Sequence, residues 1–380
     1  MNLLNEELLK INIEKIAEYD LLHHKVFGSA YCVIQENCIV YKGCFGYTSV
    51  DAAKPVTGDT IFRLASMTKP ITAMAILILV ERGLLSLSDP VMKYLPEFQD
   101  VHVIQWVDSQ TVVDRGKAQS DVTIRQLLTH SAGFGSEELK AVKMTAKDKS
   151  TIDDSIQYFL RAGLDYEPGT KQQYSATGAF DVLVKIIEQI TGTDYQEFLK
   201  KEIFAPCGMT NTTFIPSKEQ MECMMDMHNR VECESTVRRM GENCIFGDYP
   251  CTHYLGGAGL VSTLTDYANF AHMLLNDGKT ATTELVSKEN FQLLRTPFVT
   301  EEIMPGNERW GLGVRVIVDA SYPNLPVETF GWSGAYGTHF WVDPKNRIAA
   351  VFMKNSVVDG GAGNESARKF EKAVADSFVR

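Results

Sequence analysis

The chain has 380 residues, 44% hydrophobic and 22% charged, with 37 Lys plus Arg against 48 Asp plus Glu for a formal net charge of −11. That length suits two or three structural units with a large core, and the acidic balance argues against nucleic acid or an anionic membrane surface as the main partner.

Residues 1–20 alternate apolar side chains with Asn5, Glu6, Glu7, Lys10, Glu14, Lys15 and Glu18, which predicts an amphipathic helix. This stretch lacks the continuous apolar core and small-residue cleavage site of a secretory signal, and no segment reads as long and apolar enough to span a bilayer. A cytoplasmic protein is the expectation. Two strands follow at 29–35 and 38–47, joined by the turn-prone pair Glu36-Asn37. A helix from Ser66 to about Arg82 is apolar nearly all round, the pattern of a buried central helix, and Gly83 supplies its stop.

From 90 to 254 the pattern is helical, with helices predicted at 122–129, 152–161 and 176–191. Strand-like runs return at 311–318, 329–342 and 347–354, and a last helix covers 363–378. The simplest architecture is α+β: an antiparallel sheet flanked by helices and built from residues 1–88 and 255–380, with 89–254 as an inserted, mainly helical lobe. A cleft between the two is the expected pocket.

The eight cysteines include no Cys-x-x-Cys pair, and a chain of this size needs no disulfide staples, so reduced thiols are expected. Cys223, Cys233, Cys244 and Cys251, with His228 and His253 nearby, match no usual zinc spacing. No metal and no cofactor is therefore expected. The soft cluster Met221, Cys223, Met224, Met225 and Met227 reads as gap-filling in a core or under a loop, ahead of the alternative that it lines an adaptable pocket.

Chemistry concentrates at Ser66-Met67-Thr68-Lys69. Positions i and i+3 share a helix face, so the Lys69 amine is placed beside the Ser66 oxygen as a local base. A serine in the first helical turn also has free backbone N–H groups and the helix dipole to favour a developing oxyanion. The same spacing recurs at Ser366-Ala367-Arg368-Lys369, where Glu365, Glu371 and Lys372 suggest exposed helix surface. Two further stretches stand out. Residues 167–178 contain Glu167-Pro168-Gly169, a turn that delivers Tyr174-Ser175-Ala176 just before a long helix, and Gly331-Trp332-Ser333-Gly334-Ala335-Tyr336-Gly337 is a glycine-rich stretch between strand-like runs.

In this order, Ser-x-x-Lys, Tyr-Ser-x and x-x-Gly resemble the serine β-lactamase-like superfamily, in particular class C β-lactamases, D-amino-acid peptidases and family VIII esterases. The resemblance runs from about residue 25 to 355. It includes the stretches 123–133 and 256–263, both similar to characteristic segments of that group. It implies Ser66 as acylated nucleophile, Lys69 and Tyr174 as the proton-transfer pair, and the backbone N–H groups of Ser66 and Ala335 as oxyanion hole. Trp332, Ser333, Gly334 and Tyr336 would bind substrate. His130, after a short helix, reads instead as an anchor for the Ser131-Ala132-Gly133 turn.

Two departures narrow the substrate. Ala176 stands where the family's β-lactamases usually carry the Asn of Tyr-x-Asn, and Trp332-Ser333-Gly334 replaces Lys-Thr-Gly, so this motif offers no cation for a β-lactam carboxylate. Such Trp-x-Gly versions are similar to the family VIII esterases, and a flat apolar wall suits an ester. The expected function is hydrolysis of a small-molecule carboxylic ester through an acyl-enzyme. The alternatives are β-lactam or D-amino-acid peptide hydrolysis by the same residues, acyl transfer to an alcohol, and a non-catalytic sensor or assembly protein on this fold.

Overall fold

The computed structural model describes residues 2–49, 54–106, 111–135, 151–230, 237–239, 251, 253–358 and 360–379. Helix α1 (Glu6–Leu22) starts on Asn5, whose side chain accepts the Leu8 N–H at 3.0 Å. A seven-stranded antiparallel sheet follows from both ends of the chain: β1 (Gly28–Gln35), β2 (Cys38–Gly46), β3 (Glu308–Trp310), β4 (Arg315–Ile317), β5 (Phe330–Ser333), β6 (His339–Asp343) and β7 (Ile348–Met353). Their spatial order is β2-β1-β7-β6-β5-β4-β3, with β7 seated beside β1 through pairs such as Cys32 with Val351.

Strand alternation sorts the side chains onto two faces. Tyr31, Val33, Trp341, Ala350 and Phe352 join Leu9, Ile13 and Ala17 of α1 and Phe370 of α5 (Glu365–Ala375). Ala30, Cys32, Phe340, Val342 and Val351 join the larger core. That core contains α2 (Lys69–Glu81), α3 (Gly178–Thr191) and α4 (Leu264–Leu275). Residues 69–79 of α2 are all buried, as expected of a helix without a polar face. Gly83 ends the helix in the left-handed region at φ +67°, its N–H bonded to Val80 O at 2.9 Å.

Several expectations change. The run 329–342 is two strands, β5 and β6, because residues 334–338 turn the chain back on itself. The run 311–318 contributes only β4, and the edge strand β3 lies where no strand was predicted. Within the mainly helical middle segment, two short hairpins were not expected: His102–Trp106 pairs with Val112–Lys117, and His228–Arg230 with Val237–Arg239. That segment also shares one continuous core with the sheet.

Glu371 and Ser366, read as helix surface, are fully buried. They fall on the stripe of α5 that carries Ala367, Phe370 and Val374, so periodicity outweighs their charged neighbours. Lys369 turns outward to Glu365 at 2.6 Å and over the Tyr19 ring, which leaves the second Ser-x-x-Lys without a paired hydroxyl and amine.

Cys233 and Cys244 lie outside the described residues. Met224, Met225 and Met227 are buried, and Met221 is exposed. Among the described residues no helix is long and apolar enough to cross a membrane.

Candidate active site

Ser66 lies in a 3₁₀ turn, Ala65–Thr68, rather than in the first turn of the α-helix, which begins at Lys69. Ala65 enters that turn in the left-handed region at φ +47°, a conformation that costs a non-glycine residue about 1–2 kcal/mol. Pro70 in the first helical turn has no N–H to lose. Ser66 is 8% exposed, while Lys69 is fully buried.

The structure brings the three expected side chains together. Tyr174 Oη lies 2.7 Å from Ser66 Oγ, and Lys69 Nζ lies 3.4 Å from the same oxygen. Lys69 also donates to Ala176 O at 2.7 Å and Gly257 O at 2.9 Å. Two of its N–H groups are thereby consumed by main-chain carbonyls, so the third position on nitrogen faces Ser66. That position holds either a lone pair able to take the Ser66 proton or an N–H able to stabilise the resulting alkoxide. Nζ also sits 4.9 Å from the centroid of the Tyr174 ring.

Ala176, where an Asn was missing, thus contributes its carbonyl. Gly257 was legible only as part of a glycine-rich stretch. Its neighbour Gly256 is held on both sides, its N–H by Asp181 Oδ1 at 3.1 Å and its carbonyl by Thr72 Oγ1 at 2.6 Å. Burial pushes the Asp181 carboxyl above its ordinary pKa, and His253 Nε2 stands 3.8 Å from its other oxygen. Asp181, on an otherwise apolar stretch of α3, was missed in the sequence; a carboxylate among buried residues was the available signal.

His130 orders the tyrosine segment. Its carbonyl accepts from Gln173 N at 3.0 Å and its Nδ1 accepts from Ser175 N at 3.0 Å, so Tyr174 is clamped from both neighbours. The adjoining turn is strapped to the same segment by Gly169 N to Ser131 O at 2.8 Å. With Nδ1 an acceptor, the ring proton sits on Nε2, which has no hydrogen-bond partner among the described residues and lies among the rings of Tyr174, Phe180 and Trp310. Burial first, then the Lys69 charge, hold this imidazole well below its ordinary pKa. Below about pH 6.5 the unfolded chain gains a proton that folded His130 refuses, so stability falls as the pH is lowered. Urea midpoints at pH 7.5 and 5.5 should therefore drop further for the wild type than for His130→Asn. Equal drops would contradict this role.

Trp332 is half-buried, and its indole N–H points at Tyr174 Oη from 3.4 Å. Trp310, missed in the sequence reading, packs against both, with centroids 4.5 Å from Trp332 and 5.9 Å from Tyr174. Ser333 requires a correction. It follows Trp332 on β5, so its side chain emerges on the opposite face of the sheet from Trp332, where its buried hydroxyl bonds His339 Nδ1 at 2.7 Å. Tyr336 is buried against Ala65 and Met227, with Ala335 packed on the same cluster.

Gly334 has no room for a side chain: a Cβ there would strike Leu64 O and Thr338 Oγ1. Gly334→Ala should push the turn away from Ser66 and lower kcat by about tenfold or more with KM little changed, as measured by steady-state kinetics. An unchanged kcat would show that the turn's closeness to Leu64 is irrelevant to turnover.

A buried amine and a tyrosine hydroxyl converging on one serine, beside an antiparallel sheet, define a serine hydrolase of the β-lactamase fold. The chain belongs to the beta-lactamase family, whose model matches residues 12–373. It is similar to Protein Rv1367c of Mycobacterium tuberculosis, 30% identical over 382 residues and covering 93% of each chain. It is also similar to Esterase EstB of Burkholderia gladioli, 26% identical over 386 residues and covering 93% of this chain and 92% of that one. Among solved structures, EstCE1, described as a hydrolase with promiscuous acyltransferase activity, superposes with a TM-score of 0.83 over 97% of this chain and 99% of its own, at 22% identity.

Proposed function

We propose that this protein hydrolyses small-molecule carboxylic esters through an acyl-enzyme on Ser66. The observation that carries the reading is Trp332. It takes the place of the lysine in Lys-Thr-Gly, and its indole points at Tyr174 Oη rather than offering a charge to a substrate carboxylate. A neutral acyl group against an aromatic wall is the substrate this arrangement favours. The name of the EstB relative supports the same class.

In this mechanism the substrate enters between the sheet part of the chain and the 89–254 segment. Ser66 attacks the carbonyl carbon as its proton passes to the Lys69/Tyr174 pair, and the backbone N–H groups of Ser66 and Ala335 receive the oxyanion. Collapse of the tetrahedral intermediate expels the alcohol with that proton. Water then attacks the acyl-enzyme, and the released acid leaves Ser66 free.

The test compares kcat/KM for p-nitrophenyl butyrate with that for a chromogenic cephalosporin. A preference for the ester of about 10²-fold or more is expected, on the scale of one lost charge-assisted contact or two. Preference for the cephalosporin would overturn the esterase reading.

A further inference from the structure

Behind the strand that carries Trp332 lies a buried polar chain that the mechanism above does not use. Ser333 and His339 are directly opposed in the β5–β6 register. His339 Nδ1 is 2.7 Å from Ser333 Oγ, and its Nε2 is 3.0 Å from Glu371 Oε1. Ser333 is 3% exposed, and His339 and Glu371 are fully buried. Arg368 Nη1 reaches both oxygens of Glu371, at 3.1 and 3.2 Å, and Arg315 Nη2 stands 3.6 Å from Oε1.

The direction of these bonds follows from the donors. Burial raises the Glu371 pKa, but the His339 hydrogen bond and the Arg315 and Arg368 charges outweigh it and hold the carboxyl below its ordinary value. An ionised carboxylate only accepts, so His339 Nε2 carries the proton. Nδ1 shares the remaining hydrogen bond with the Ser333 hydroxyl, which can donate or accept. A buried ionic network of this kind is weak evidence for stability, since well-packed apolar residues would serve as well. What directional bonds supply is position.

The position concerned is the 334–338 turn. Gly334 N bonds Thr338 O at 2.8 Å and Gly337 N bonds Gly334 O at 2.9 Å, closing a tight loop with Ala335 inside it. Thr338 Oγ1 donates to Leu64 O at 2.9 Å, two residues before Ser66. The turn is therefore fixed at one side to the chain of the nucleophile, and its two stems, Ser333 and His339, are fixed from behind to α5.

We propose that Ser333, His339 and Glu371 are positioning residues that hold this turn, and with it the Ala335 N–H, against Ser66. The proposal rests on the esterase reading only for the identity of the substrate. It places the relay outside the reacting atoms and assigns it an effect on kcat rather than on KM.

The test uses the full chain with His339→Ala, His339→Gln and Ser333→Ala. Five quantities are measured: kcat and KM for p-nitrophenyl butyrate, the rate of Ser66 labelling by a fluorophosphonate, melting temperature, and amide hydrogen exchange in residues 334–338. His339→Ala should lower kcat and labelling by about tenfold or more, leave KM within about twofold, and speed exchange in the turn. His339→Gln should recover part of the loss, because its amide can accept from Ser333 and donate to Glu371.

Ser333→Ala opens little space and keeps the proposal testable if His339→Ala does not fold; it should lower kcat and labelling by about threefold or more with faster exchange in the turn. Folded variants with wild-type kcat, labelling and exchange, or with a lowered melting temperature alone, would overturn the relay. If the wild type labels at Ser66 but turns over no ester, the substrate reading fails and the relay is decided by labelling and exchange.

Discussion

Replacing Ser66 with alanine is expected to lower kcat/KM for a short p-nitrophenyl ester by at least about 10⁴-fold while leaving the fold intact. The Ser66 oxygen is the point on which Tyr174 at 2.7 Å and Lys69 at 3.4 Å converge, so its removal deletes the proposed nucleophile and leaves the proposed proton-transfer pair with nothing to act on. The change removes one oxygen atom from a residue that is 8% exposed. The gap is small, and the far-UV circular dichroism and melting temperature should stay close to wild type. Wild-type turnover in this variant would eliminate the acyl-enzyme mechanism outright.

Lys69→Met is expected to cost about 10³-fold in kcat with a modest loss of stability. Methionine keeps much of the buried stem, so the change isolates the amine. Two opposing terms set the stability. The carbonyls of Ala176 and Gly257 each lose a donor, and an unsatisfied buried acceptor costs about 1–3 kcal/mol, but the buried amine and its desolvation penalty disappear as well. The result to look for is a large rate loss with a small shift in melting temperature. A kcat within tenfold of wild type would assign the proton transfer to Tyr174 alone.

Ser66 and Lys69 were legible as a pair because their relation is local, whereas Tyr174, 108 positions from Ser66, was placed with them only by the resemblance in motif order. Ser66 and Lys69 are three residues apart at the head of an apolar helix, and Tyr174 follows a Pro-Gly turn. The α+β architecture was legible for a similar reason, since strand-like runs occur at both ends of the chain and must pair with each other.

Features that depend on distant backbone were not legible. Gly257 supplies a carbonyl to Lys69 across 188 positions of sequence, and nothing in a glycine announces that. Trp310 sits on an edge strand of three residues, too short to show alternation. The turn at 334–338 was hidden because apolar residues flank it on both sides and the whole run reads as one strand.

Glu371 was misread for a different reason. Its immediate neighbours are charged, but its place four residues after Ala367 sets it on the buried stripe of α5. Ser333 was placed at the substrate from motif position alone, and the period-two geometry of β5 turns it away whenever Trp332 faces the cleft. Both residues belong to the polar network behind the sheet, which only the tertiary structure assembles.

The most direct test of the acyl-enzyme on Ser66 is rapid mixing with p-nitrophenyl butyrate followed by acid quench and mass spectrometry of the peptide that contains residues 61–69. The expected result is a burst of p-nitrophenol approaching one per active site, with a butyryl mass increase on Ser66 that decays as free acid appears. Ester turnover without acylation of that peptide, or acylation at another residue that survives Ser66→Ala, would contradict the account.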